Sequence, residues 1–428
     1  MQGVELGLQT GVGAMWRHKR VLAASLIGTA VEFYDFYIYA TAASLVFGPL
    51  FFPATSPSAQ LLAAYGSLAL AFFARPLGAA VFGHYGDRIG RKATLVTSLM
   101  LMGGSTLAIG FLPTYQMIGW WAPFILCVLR FGQGFGLGGE WGGAALLAVE
   151  NAPPGWSARF GMFPQLGAPV GFIAANGLFL LLGVFLTDAD FFAWGWRLPF
   201  LGSAVLVILG LWIRLKLTET PEFAAARAEA PPPAVPIATL FRSHLSAAIA
   251  GTFACAACFA VYYIATAFAL GYGTTTLRID RESFLAIQLG AILFMAVSIV
   301  IAGWWADRTS PTRVLVAGCI GTVAMGIVFG PAMGTGQLMP IFLILSLALF
   351  LMGFVYGPLG AYLPHLFPVQ LRYTGASFAF NLGGIVGGAL APIVATWLIG
   401  VRGVELVGLY MSVAAAISLA GLWVTSRK

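Results

Sequence analysis

The chain has 428 residues, 60% of them apolar and only 9% charged, with a net charge of +7 and a mean hydropathy of +0.91. A soluble domain carries roughly 25% charged residues, so this composition excludes a water-soluble enzyme or binding module and describes a polytopic α-helical membrane protein. The basic balance does not imply nucleic acid as a partner, because Lys and Arg fall in alternate short loops, as membrane insertion requires.

In chain order, a basic cluster comes first, Arg17, His18, Lys19 and Arg20. The apolar run behind it is too long for the h-region of a cleavable leader. Hydropathy then predicts twelve helices, near 20–48, 60–84, 93–112, 119–150, 158–185, 194–217, 244–272, 283–303, 312–331, 338–363, 372–399 and 404–425. Pro49 to Pro53, Pro113-Thr114, Pro153-Pro154-Gly155 and Gly334-Thr335-Gly336 punctuate them. Thr218 to Pro236 is the longest polar interruption and separates six helices from six. The expected organisation is therefore a tail (1–19), a first bundle (20–217), a linker (218–243) and a second bundle (244–428). Sixteen Lys and Arg fall on one side of this topology and four, Arg197, Arg278, Arg281 and Arg402, on the other. That asymmetry predicts both termini in the cytoplasm of a plasma membrane, a bacterial inner membrane. Cys255 and Cys258 form a C-x-x-C inside an apolar helix without a second pair or a neighbouring His, so they read as packing residues rather than a metal or redox site.

The two halves echo each other. Gly83 to Lys92 after the second helix corresponds to Gly303 to Arg308 after the eighth, and Arg159-Phe160-Gly161 to Arg372-Tyr373-Thr374-Gly375. Offsets of roughly 215–220 residues imply an internal duplication, an architecture used by rocking transporters.

A few polar groups interrupt the apolar helices. Glu32 and Asp35 lie near mid-depth of the first helix, where a carboxylate costs about 3 kcal/mol or more unless it faces a cavity or a partner. Desolvation favours the neutral acid and a nearby guanidinium the ionised form, so a carboxylate beside a movable Arg can gain and lose a proton. In the fourth helix Gln133 and Glu140 are seven residues apart, hence within about 20° of one face, with Arg130 on an adjoining face. Arg75 precedes Pro76 in the second helix. It either grips a substrate carboxylate with its forked guanidinium or ties to Glu140 as structural glue. The second half has almost no charge within its helices and offers Tyr262, Tyr263, Gln288, Tyr356 and Asn381; Tyr34 and Trp141 complete the candidate substrate-binding set with Arg130, Arg75 and Gln133.

The motif Gly83-His84-Tyr85-Gly86-Asp87-Arg88-Ile89-Gly90-Arg91-Lys92 resembles the signature of the major facilitator superfamily. Val31-Glu32-Phe33-Tyr34-Asp35-Phe36-Tyr37, Ala74-Arg75-Pro76-Leu77-Gly78, Leu129-Arg130-Phe131-Gly132-Gln133-Gly134, Trp194 to Phe200 and Leu217 to Glu222 are similar to its metabolite:proton symporters. The resemblance implies two pseudo-symmetric six-helix bundles working by alternating access. It also implies proton-coupled uptake of a small carboxylate or zwitterion, such as an oxo-acid, citrate, shikimate, an aromatic acid, proline or betaine. First and fourth helices line the cavity in that fold, so Asp35 and Arg130 form either the coupling pair or a static ion pair, with Glu32 and Glu140 as further proton-coupling candidates. The same resemblance makes Gly83, Asp87, Arg88, Gly90, Arg91, Asp307 and Arg308 a structural latch, and Glu150 with Arg91 or Arg159 a cytoplasmic gate. Gly167 to Gly171 leaves a proton-exchanging exporter open as the alternative. The expected partners are a small-molecule substrate and the bilayer, with no nucleic acid and a monomeric chain. No cofactor or metal is expected beyond the coupling proton, and the absence of H-E-x-x-H, G-x-S-x-G and Walker motifs argues against an enzyme.

Overall fold

A computed structural model describes residues 13, 15–53, 56–89, 91–138, 140–216 and 236–426, with backbone only for 83–95, 213–216, 236–237, 370 and 426. In a bilayer no water satisfies backbone N–H and C=O groups, so apolar segments must bond internally as helices. The described residues follow that rule. The spans are α1 (Lys19–Phe51), α2 (Pro57–Ile89), α3 (Arg91–Phe111), α4, α5 (Ser157–Phe185), α6 (Leu198–Lys216), α7 (Leu245–Thr275), α8 (Arg281–Arg308), α9 (Pro311–Gly334), α10 (Leu338–His365), α11 (Arg372–Arg402) and α12 (Glu405–Ser426). The fourth span is described as two helical stretches, Trp121–Leu137 and Glu140–Glu150. Ten helices are long and apolar enough to cross a membrane among the described residues, and α3 and α4 complete the expected twelve. α2 runs on to Ile89, past the end near residue 84 that hydropathy predicted.

The first six helices pack as one bundle (α1 on α5 and α6, α2 on α4, α3 on α4 and α6), and the last six as another (α7 on α11 and α12, α8 on α10, α9 on α10 and α12). The bundles meet along α5 with α8 and α2 with α11. Glycine brings α2 and α4 together: a Cβ at Gly134 or Gly138 would collide with main-chain atoms of Ala71 or Arg75, and one at Gly78 with those of Phe135. Such close backbone approach is how membrane helices gain dispersion energy without a hydrophobic drive. Here it also sets Arg75 and Arg130 side by side.

The two bundles are joined at both ends. At the basic end, Asp307 on α8 accepts from the backbone N–H groups of Ala158 (2.8 Å) and Arg159 (3.0 Å) at the start of α5, and pairs with Arg159 Nε at 3.2 Å. A carboxylate there satisfies N–H groups that a helix start leaves unbonded. At the opposite end, α1 and α7 carry π-helical segments at corresponding places, Ala43–Phe47 and Ile264–Phe268. Within the second, Ala267 O accepts from Ser44 Oγ (3.0 Å) and Tyr65 OH (2.6 Å), and the Ala265 and Thr266 carbonyls accept from Gln288 Nε2 at 3.1 and 2.8 Å. Arg281 adds an ion pair with Asp188 at 3.1 Å. The centre is therefore enclosed from both sides.

Candidate functional site

The site is built around Arg130, which is 0% exposed. Its guanidinium carbon lies 4.2 Å from the Phe36 ring centroid and 4.0 Å from that of Tyr39, two α1 residues three apart and hence on one face. Nη1 donates to Gln133 Oε1, one turn further along α4. Nε and Nη2 have no hydrogen-bond partner. Those two N–H groups form one edge of the planar fork, the edge that matches both oxygens of a carboxylate.

Arg75 on α2 is buried against the same ring, 4.3 Å from the Phe36 centroid and 4.5 Å from that of Phe72, and its Nε is also unpartnered. Neither guanidinium forms an ion pair among the described residues. Two cations sharing one aromatic ring in an apolar interior call for an anion between them. Among the described residues the tie between Arg75 and Glu140 is not made: Glu140 turns to α3 and accepts from Ser98 Oγ at 2.6 Å.

The expected ion pair between Asp35 and Arg130 is likewise absent. Phe36 and Tyr39 occupy the α1 surface that meets Arg130, whereas Asp35 lies beside Thr106 of α3. Asp35 is 0% exposed, and neither carboxyl oxygen has a hydrogen-bond partner. Gln133 stands between the two: its Nε2 donates to the Asp35 main-chain oxygen (2.9 Å) and to Thr106 Oγ1 (2.8 Å). Glu32 is buried one turn before Asp35 on α1.

Rings from both bundles line the centre. Tyr37 stacks on Tyr262 with centroids 5.1 Å apart, Tyr263 meets Phe36 (6.0 Å) and Phe72 (5.2 Å) edge-on, and Trp141 stacks on Phe380 at 3.7 Å. The hydroxyls of Tyr262 and Tyr356 are buried beside these rings. Other candidates are occupied. Tyr34 donates to Pro199 O (2.9 Å) and ties α1 to α6, away from the centre. Asn381 Nδ2 donates to Gly138 O on α4 (2.8 Å). The Gln288 amide nitrogen caps the π segment of α7.

Of the gating set, Asp307 and Arg159 meet directly, so Arg159 pairs with Asp307 and not with Glu150, which ends α4. Arg308 lies over the Trp304 ring at 3.4 Å. The side chains of Gly83, Asp87, Arg88 and Arg91, and all of Gly90, lie outside the described residues. Sequence reading passed over Gln165, which links Trp141 Nε1 (3.2 Å) to Tyr356 O (2.8 Å) across the two bundles. It also passed over Asn176, bonded to Thr41 Oγ1 at 2.5 Å beside a small cavity lined by Tyr37, Phe172 and Gln288. Both are amides inside an apolar helix, a signal that was available. Phe36 and Phe72 carried none, being two rings among 34 phenylalanines.

Residues 25–388 match the model of the Major Facilitator Superfamily. The chain is 48% identical to the inner membrane metabolite transport protein YhjE of Escherichia coli, over 95% of this chain and 93% of that one. It is 37% identical to the shikimate transporter of Escherichia coli (91% and 90% covered), and 30% identical to a glycine betaine/proline/ectoine/pipecolic acid transporter of Dickeya dadantii (94% and 82%). Among solved structures it superposes on a proton:xylose symporter bound to 6-bromo-6-deoxy-D-glucose with a TM-score of 0.75 at 14% identity, covering 96% of each chain. A partially occluded, inward-open xylose transporter from E. coli gives 0.71 at 16% identity, over 95% of this chain and 97% of that one.

Proposed function

This chain belongs to the major facilitator superfamily, and on that premise we propose that it imports a small organic carboxylate together with protons, by alternating access across a bacterial inner membrane. It is a multi-pass membrane transporter and not an enzyme. The observation that carries the cargo class is the free Nε–Nη2 edge of Arg130, fully buried beside a second guanidinium that lacks an ion pair. A carboxylate satisfies both needs at once: two parallel charge-assisted hydrogen bonds and a counter-charge. A betaine or proline cargo also has a carboxylate, but its ammonium would compete with Arg75 and Arg130 for the Phe36 and Phe72 rings and be repelled by both. That charge conflict ranks the zwitterion second.

Asp35 is the proposed proton carrier. An ionised carboxylate with neither oxygen bonded costs several kcal/mol in such a setting, and the neutral acid avoids most of that cost. The enclosed arrangement thus fits the loaded, protonated carrier. On this reading the end bearing Arg159 and Asp307 faces the cytoplasm, along with both termini, and the end bearing Ser44, Tyr65 and Arg281 faces outward.

The test is a thermal-shift screen of the purified protein against mono-, di- and tricarboxylates and betaines, followed by uptake into proteoliposomes. A carboxylate that stabilises the fold should accumulate when the outside is acidified, and the accumulation should collapse with a protonophore. Stabilisation by betaine alone, or accumulation indifferent to the proton gradient, would overturn the proposal.

A further inference from the structure

Gln133 is 0% exposed and hydrogen-bonded at both ends of its amide. Oε1 accepts from Arg130 Nη1, and the two Nε2 hydrogens go to the Asp35 main-chain oxygen (2.9 Å) and to Thr106 Oγ1 (2.8 Å). The amide cannot be turned around, since its nitrogen would then face a guanidinium that only donates. A residue that grips cargo would keep a donor free for it, and this one has none. It instead touches, at once, the group proposed to hold the carboxylate, the main chain of the proposed proton carrier and the Thr106 hydroxyl beside it.

We propose that Gln133 is a relay coupling the protonation of Asp35 to the cargo-binding edge of Arg130, a positioning residue rather than a ligand. The inference rests on the carboxylate-proton reading above and adds its linkage. With Asp35 neutral, the Thr106 hydroxyl donates to Met102 O (3.0 Å) and accepts from Gln133, while Gln133 pins Nη1 and leaves Nε and Nη2 presented. When Asp35 gives its proton to water, its carboxylate competes with the Met102 carbonyl for the Thr106 hydroxyl and with cargo for Arg130. Charge-assisted bonds are roughly twice as strong as neutral ones, so the Thr106 side chain rotates toward Asp35, carries its oxygen away from Gln133 Nε2, and the Gln133 amide, no longer anchored there, lets Arg130 turn toward Asp35. One O–H bond breaks at Asp35 and re-forms on reprotonation; no other covalent bond changes. By reciprocity, cargo binding and Asp35 protonation then favour each other. The ionisable groups facing this cluster are Glu32, Tyr34 and Tyr39 on α1, Arg75 on α2, and Arg130 and Glu140 on α4. Thr106 of α3 and Tyr263 of α7 also face it, and among the described residues none hydrogen-bonds the Asp35 carboxyl oxygens.

The test compares wild type with Gln133→Leu and with Thr106→Val, which removes the hydroxyl at nearly constant volume. Each full-length protein is reconstituted in nanodiscs, and binding of succinate, benzoate and shikimate is measured across a pH series. Proton uptake on binding is followed with an indicator in weak buffer. Wild-type affinity for a binding carboxylate should fall as pH rises, by up to about tenfold per pH unit for one linked proton. Both variants should bind more weakly, with less than half of that slope and less than half of the proton uptake per carboxylate bound. If Gln133→Leu fails to fold, Thr106→Val decides alone. Weakened binding with unchanged slope and proton uptake would make Gln133 a strut and overturn the relay. Wild-type protein that binds none of the carboxylates at any pH would remove the underlying reading and the relay with it.

Discussion

Arg130→Lys keeps a buried positive charge but replaces a planar fork with a point charge. The guanidinium has one nitrogen committed to Gln133 and two N–H groups on its open edge. An ammonium that keeps Gln133 reaches one cargo oxygen well, so about one charge-assisted hydrogen bond is lost. Such a bond is worth about 1.5–3 kcal/mol, which corresponds to a rise in Kd of about 10- to 150-fold. The stacking with Phe36 and Tyr39, at 4.2 and 4.0 Å, is lost as well. That contribution, about 0.5–2 kcal/mol, exists with and without cargo, so it should appear in Tm and not in affinity. Isothermal titration with the best carboxylate from the screen, beside melting curves of both ligand-free proteins, separates the two effects. A Kd within twofold of wild type in a folded Arg130→Lys protein would refute carboxylate recognition by the open edge.

Asp35→Asn, nearly isosteric and unable to ionise, should abolish accumulation driven by a proton gradient while counterflow exchange persists; acid-driven uptake at the wild-type rate would remove Asp35 as proton carrier. Asp307→Ala leaves the Ala158 and Arg159 N–H groups and the Arg159 guanidinium without their acceptor. It should destabilise the closed basic end by about 1–3 kcal/mol per donor left buried, read as faster thiol labelling, from that side, of a cysteine placed between the two bundles. Gly134→Val puts a branched side chain against the Ala71 backbone. No rotamer relieves a clash with main chain, so folded, membrane-inserted protein should fall to near zero, whereas an equal substitution at Gly104, where a Cβ meets nothing within 4 Å, should be tolerated.

Much of this molecule was legible in one dimension. In a bilayer the backbone has few options, so apolar length fixes span number, and the duplicated Asp-Arg motifs announce two related halves. The rarity of charge in oil also singled out Asp35, Arg75, Arg130 and Glu140 without any coordinates, because each buried charge needs a reason. What the sequence by itself could not settle was which of these charges meet. Asp35 and Arg130 sit on helices that touch, yet Phe36 and Tyr39 take the contact, and Glu140 goes to Ser98 instead of Arg75. Helix rotation and the close glycine seam between α2 and α4 decide those pairings, and both depend on packing summed over whole helices. The same holds for Gln133, whose residue type suits a ligand but whose three hydrogen bonds, to partners on its own helix, α1 and α3, exist only once the bundle has assembled.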